Sequence, residues 1–341
     1  MIKSQRIDWL DYGRLFSAIS VMAFHYMYRA PADGTVPGDF GSFGSIARYG
    51  FLGVDFFFIV SGFVILFSAV GSEPDRFAVA RLVRLYPAFL FCMIVTLSVR
   101  LASGHEISPL SIFANLTLVP EIFGQPAVDG VYWSLAFEIV FYVAVFLIML
   151  IGGGRYLRAI ILGWVFVQAA TYPWHLPLLS GFYSLFAGGA VLAYDYRDGW
   201  SWSYGAALTV TVILSVANAA NRVGGDPAIT AGVTAAFFAI FIVMSRAPRL
   251  PGAQIAGAIT YPVYLLHNRI GMELRQFFNS GWAWFIICTL LFCSAGWLIS
   301  VFIERRPRRV WFAIFDSSVG SLIRFARRRR LSITFGSRAA R

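Results

Sequence analysis

Five ionisable side chains, Arg14, His25, Asp55, Glu138 and His267, stand inside long apolar stretches of this 341-residue chain. A charge in hydrocarbon costs about 3 kcal/mol or more, so each implies a partner, a water-filled cavity or chemistry. Arg14 and His25 are eleven residues apart in one stretch. In a helix, eleven steps end about 20° past three full turns, so both side chains share a face about 16 Å apart along the axis. The spacing predicts a stripe with a guanidinium near one end of a membrane helix and an imidazole near the other. Asp55 lies just inside the second apolar stretch, Glu138 about two turns into the fourth, and His267 near the end of the ninth. These positions put all three in the same half of the bundle as His25. Two histidines and two carboxylates at one depth can supply a general base held by an orienting acid. The same groups can instead be interhelical hydrogen bonds that bind helices together. A zinc site from the four is a third reading, with no diagnostic spacing. The shared face with Arg14 favours chemistry for His25.

A second group follows the second apolar stretch: Arg76, then Arg81-Leu82-Val83-Arg84-Leu85-Tyr86-Pro87. Arginines three apart at a helix start share a face, and guanidinium forks match phosphate oxygens. Anchoring at the membrane surface is the alternative for an isolated RxxR. His105 and His175 are expected as solvated loop residues. Gly152-Gly153-Gly154 reads as a turn and Gly188-Gly189 as a close helix contact.

The elements that must position these residues are membrane helices. Hydrophobic residues make up 58% of the chain and charged ones 13%, with mean hydropathy +0.70. That composition excludes a soluble domain. Lipid gives the backbone no hydrogen bonds, so a span is a helix of about 20 residues. Spans are expected near 9–28, 49–71, 85–103, 131–151, 157–172, 176–195, 203–219, 226–245, 253–271 and 283–303. The fold class is therefore all-α: a polytopic bundle of about ten transmembrane helices.

Of the 28 basic residues only Lys3 is lysine. An inside N-terminus assigns to the cytoplasm Lys3, Arg6, Arg76, Arg81, Arg84, Arg155, Arg158, Arg197, Arg246, Arg249 and every arginine from Arg305 onward. The outer side receives Arg29, Arg48, Arg100, Arg222, Arg269 and Arg275. This bias puts both termini in the cytoplasm. Residues 1–304 form the membrane domain and 305–341 a basic cytoplasmic tail. The tail, with Arg327-Arg328-Arg329-Arg330, suits anionic lipid headgroups better than nucleic acid. Cys92, Cys288 and Cys293 lie in apolar runs and suggest neither a disulfide framework nor a metal site. Asp8, Asp11 and Arg14 interrupt any signal-peptide core, so the first helix is read as retained.

Six pieces, in order, resemble acyltransferase family 3, the integral-membrane acyltransferases that decorate bacterial surface glycans. They are Arg14 and His25 as R-x10-H, then Gly53-Val54-Asp55-Phe56-Phe57-Phe58 with Ser61-Gly62, then Arg81 and Arg84 before Leu-Tyr-Pro. Trp133-Ser134-Leu135 with Glu138 follows, then Tyr261 through Tyr264-Leu265-Leu266-His267, and finally Glu304 with Pro307. Pro262, inside the late motif, departs from the pattern.

The resemblance implies an acyl-CoA donor, usually acetyl-CoA, as co-substrate from the cytoplasm, with no permanently bound cofactor. It implies a hydroxyl of a surface glycan or lipid-linked oligosaccharide as acceptor, and a bacterial cytoplasmic membrane as location. His25 is the expected catalytic base, with Glu138 or Asp55 orienting it. Arg81 and Arg84 are expected on the CoA phosphates and Arg14 along the donor path; Trp133 and His267 complete the expected substrate-binding set. Some relatives carry an extra extracellular domain; without one, the chain is expected to acylate directly or through a partner. A proton-coupled transporter and a non-catalytic subunit of a polysaccharide export complex are the rival readings.

Overall fold

A computed structural model describes residues 7–34, 40–174, 176, 178–222, 225–248 and 250–328. Lys3, Arg6, His175, Arg249, Arg329 and Arg330 lie outside the described residues. Every regular element among the described residues is helical. The main helices are α1 (Asp8–Ala23), α2 (Gly53–Ala69), α3 (Pro74–Ala102), α4 (Trp133–Leu150) and α5 (Leu157–Ala170). They continue with α6 (Tyr183–Asp198), α7 (Trp202–Ala220), α8 (Pro227–Ser245), α9 (Ala253–Leu266), α10 (Gly281–Ile299) and α11 (Arg308–Phe315).

Helices thus stand at all ten positions read as spans. Among the described residues six segments are long and apolar enough to cross a membrane: Ser42–Ala69, Pro74–Ala102, Gly130–Leu150, Trp202–Ala220, Pro227–Ser245 and Gly281–Arg305. The others, α1, α5, α6 and α9, are shorter or carry charges.

Three boundaries differ from the expected spans for local reasons. α3 starts at Pro74 rather than near 85, because Pro74 fits the first helical turn after an extended Glu73. α6 starts at Tyr183 rather than near 176, because Leu178 and Gly181 adopt positive φ and keep the chain out of the helix. α9 ends at Leu266, and a short helix Arg269–Leu274 follows.

Three π-helical turns interrupt the regular spiral among the described residues: Asp316–Gly320 beyond α11, and two that end longer helices. One spans Phe24–Arg29 at the end of α1, and Ala30 donates its N–H to His25 five residues back. The other spans Ser300–Arg305 at the end of α10, where Arg306 reaches Val301. Pro31 and Pro307 stand just beyond them. A proline cannot donate to the carbonyl four residues back. The Ile303 carbonyl, lacking that donor, receives the Trp311 indole N–H at 2.8 Å instead. Such turns often re-aim functional side chains; these two carry His25, Glu304 and Arg305.

The tightest crossing joins α2 and α6. A methyl on Gly62 would overlap the Phe186 carbonyl, and one on Gly189 would overlap the Ile59 carbonyl. Small residues let membrane helices bring their backbones together. Gly189→Ala is expected to force the helices apart and cost about 1–3 kcal/mol, as overpacking does, read as a lower melting temperature in detergent. α1 packs against α9, and α9 against α10.

After α10 the chain turns back along the start of α3. Arg324 donates to Asp75 at 2.9 Å and to Asp316 at 2.7 Å, and Arg327 to Glu73 at 2.6 Å. The Arg324 guanidinium holds the Asp316 carboxyl below the usual carboxylate range. That contact is therefore present at neutral pH and is lost only as pH falls through the lowered value.

Candidate active site

A basic cavity opens at the end of the bundle where α1, α3 and α9 meet the π turn after α10. Arg14, Arg84, Arg305 and Arg308 line it, with Asp11 and Glu304 among them, around about 280 Å³. Glu304 accepts from Arg84 Nη1 at 3.1 Å, and the Arg84 guanidinium lies 5.5 Å from the centre of the Tyr261 ring. Two prolines loosen the backbone here. Pro87 gives no N–H to the Val83 carbonyl and Pro262 none to the Ala258 carbonyl; Val83 and Ala258 both line the cavity. Despite Pro262, α9 continues unbroken to Leu266, which fixes Tyr264 and His267 in register.

Arg14 and Arg84 also line a smaller pocket further along the bundle, about 60 Å³, with Ser61, Ser134, Glu138, Thr260, Tyr261 and Tyr264. The Tyr264 and Ser134 hydroxyls lie 2.8 Å apart. The Tyr264 ring packs on His267 with centroids 5.5 Å apart, and the His267 ring lies 5.5 Å from that of His25. Basic cavity, polar pocket, Tyr264, His267 and His25 thus follow one another along the interface of α1 and α9. Arg14 and His25 both face α9.

His267 is fully buried. Its Nδ1 is 2.7 Å from the Tyr264 carbonyl oxygen. A carbonyl only accepts, so Nδ1 carries the proton and Nε2 presents a lone pair. That Nε2 is buried without a partner. The backbone around it is held from two sides. The Tyr26 hydroxyl donates to the His267 carbonyl at 2.6 Å, and the Tyr26 ring stacks on Trp284 at 4.0 Å. Asp129, also fully buried, accepts from Asn268 Nδ2 at 2.8 Å, from the Arg269 N–H at 2.8 Å and from the Val131 N–H at 3.1 Å.

The expected orienting carboxylates are elsewhere. Asp55 accepts from Arg222 at 2.5 Å and Thr234 at 3.1 Å, facing α8. Glu138 accepts from Tyr142 and lines the polar pocket with Arg14 and Arg84. Neither is hydrogen-bonded to His25. Depth along a helix fixes height, whereas the side it faces depends on packing; both carboxylates turn to other neighbours.

The two RxxR arginines also part. Arg84 lines both cavities. Arg81 lies near the Phe77 and Tyr142 rings, 5.8 and 5.7 Å from their centres, and lines a separate apolar groove between α3 and α4. Trp133 packs among Phe58, Phe137 and Phe182 and lines neither cavity, although Ser134 beside it does. His105 is not simply solvated: it lies 3.3 Å from Glu273 and 3.1 Å from Arg269. Among the described residues no group of three or more His, Cys, Asp or Glu is placed to hold a metal ion.

Asp129, Tyr26, Arg305 and Arg308 were missed as site residues by sequence reasoning. The two arginines looked like tail charge; Arg305 ends the π turn, Arg308 starts α11, and both line the cavity. Asp129 precedes the Trp133 motif by four residues, the one sequence signal that pointed to it.

A basic mouth thus leads between apolar helices to a half-buried imidazole, His25, and a fully buried one, His267. A family profile described as an acyltransferase domain matches residues 7–303, from α1 into the π turn after α10. The chain belongs to acyltransferase family 3. No curated protein and no solved structure matches it.

Proposed function

We propose that this chain takes an acyl group, acetyl in the simplest case, from cytoplasmic acyl-CoA and transfers it to a hydroxyl of an extracytoplasmic or lipid-linked glycan. In this reading it crosses a bacterial inner membrane about ten times, with both termini inside. The observation that carries the reading is the run from the arginine-lined cavity through the polar pocket to the two histidines. Guanidinium groups suit CoA phosphates, and α1 brings Arg14 and His25 to the same interface.

Arg14, Arg84, Arg305 and Arg308 hold the phosphates, and the pantetheine arm enters the polar pocket. Neutral His25 takes the acceptor hydroxyl proton as its oxygen attacks the thioester carbonyl. The new C–O bond forms, the C–S bond breaks, and the imidazolium returns its proton to the departing thiolate. The other tail arginines, beside exposed Val310 and Phe312, rest on anionic lipid.

Arg84→Ala removes a charge-assisted phosphate contact and is expected to raise the donor KM about tenfold or more. Arg81→Ala, on the groove side, is expected to change it less than about threefold. Initial rates against acetyl-CoA concentration check both; equal effects would put the two arginines back on one ligand.

The reading as a whole is tested with purified protein in liposomes, radiolabelled acetyl-CoA and an external sugar. Label on the sugar supports the enzyme. Sugar movement without label means a carrier, and neither result means a non-catalytic subunit.

A further inference from the structure

The buried, unpartnered Nε2 of His267 needs a donor. An acceptor left unpaired in a low-dielectric interior costs about 1–3 kcal/mol. Its tautomer is set by the Tyr264 carbonyl, so it can only accept. Two rings pack on His267 at 5.5 Å, those of Tyr264 and His25; the Tyr264 hydroxyl is engaged with Ser134 and the Val131 carbonyl, so His25 is the one with a free donor. At 5.5 Å between centroids, turning the His25 ring can bring one nitrogen of each within hydrogen-bond reach. Nothing ties that ring down: among the described residues His25 makes ring contacts with Phe24 and His267 but no hydrogen bond or ion pair. Glu138 and Asp55, the acids that could have done this, are engaged by Tyr142, Arg222 and Thr234.

We propose that His267 is the positioning residue of His25. Its Nε2 accepts the His25 N–H and holds the ring in the tautomer whose other nitrogen is free to take the acceptor proton. This rests on His25 being the base. When His25 is protonated the bond becomes charge-assisted and roughly twice as strong. His267 fills the place usually taken by a carboxylate.

Its own position is over-determined. The Tyr26 hydroxyl, one residue from His25, reaches the His267 carbonyl, so a single side chain ties the turn of one histidine to that of the other. A methyl on Gly271 would overlap that hydroxyl, so the approach requires glycine there. Asp129 anchors the next two residues, Asn268 and Arg269.

The test measures kcat and donor KM in liposomes for equal amounts of folded, monodisperse protein. His267→Ala is expected to lower kcat about a hundredfold with the donor KM within about twofold. His267→Gln puts an amide oxygen near the position of Nε2 and is expected to recover about tenfold of that loss. Asp129→Asn keeps one acceptor oxygen and is expected to lower kcat about tenfold at unchanged donor KM; it carries the test if His267→Ala does not fold.

The proposal is overturned if His267→Ala keeps wild-type kcat, if His267→Gln does no better than alanine, or if the losses appear in donor KM. His25→Ala is measured alongside. If His25→Ala is inactive while His267→Ala is normal, only the positioning role fails; if His25→Ala is fully active, the base itself is wrong and this inference goes with it.

Discussion

His25→Ala is expected to abolish acyl transfer while the protein remains inserted and folded. The His25 side chain contributes ring contacts but no hydrogen bond to the bundle, so its removal disturbs little beyond a small gap beside His267. General-base assistance accounts for about 10²–10⁴-fold of a rate, and no other described side chain is placed to replace it. Glu138 is tied to Tyr142, and His267 is fully buried, its free nitrogen shut away from an incoming hydroxyl. The check pairs a radiolabel transfer assay with size-exclusion and thermal unfolding in detergent. Activity at the wild-type level in a folded variant would remove His25 from the reaction.

Asp55→Leu is expected to act on the fold first. The Asp55 carboxylate is fully buried and holds Arg222 at 2.5 Å and Thr234 at 3.1 Å. Without it the Arg222 guanidinium, largely buried and with its Nη2 already lacking a partner, is left as an uncompensated charge. Breaking one side of such a pair costs about 3–5 kcal/mol, whereas replacing both partners with apolar groups is often neutral. Thermal unfolding should therefore show a large drop for Asp55→Leu and recovery of most of it in Asp55→Leu/Arg222→Leu. If Asp55→Leu melts like the wild type but no longer transfers acyl groups, Asp55 belongs to the chemistry, as its depth in the second helix first suggested.

The contrast between these two residues shows which part of the site could be read from the chain. Helix positions were legible because lipid forces long apolar helices, and the shared side of Arg14 and His25 because one continuous stretch carries both. Partners on different helices were not. His25, Asp55 and Glu138 share a depth by simple counting, yet the side each faces depends on how α1, α2 and α4 are rotated in the bundle. The Asp55–Arg222 pair joins residues 167 apart in sequence, and no periodicity signals it. The π turn at Ser300–Arg305 is equally silent in the sequence, as is the placement of Arg305 and Arg308 at the mouth that Arg84 lines. Pro74 and Gly181 carried the local information that moved two helix starts, through rules of first-turn geometry and positive φ. The Gly188-Gly189 contact was legible because two adjacent small residues in an apolar helix serve little else.

That contact limits how this bundle can move. Where main chain meets main chain at Gly62 and Gly189, there is no cushion of rotatable side chains to absorb sliding. α2 and α6 must travel as one piece, and any swing that exposed the two membrane faces in turn would have to hinge at another seam.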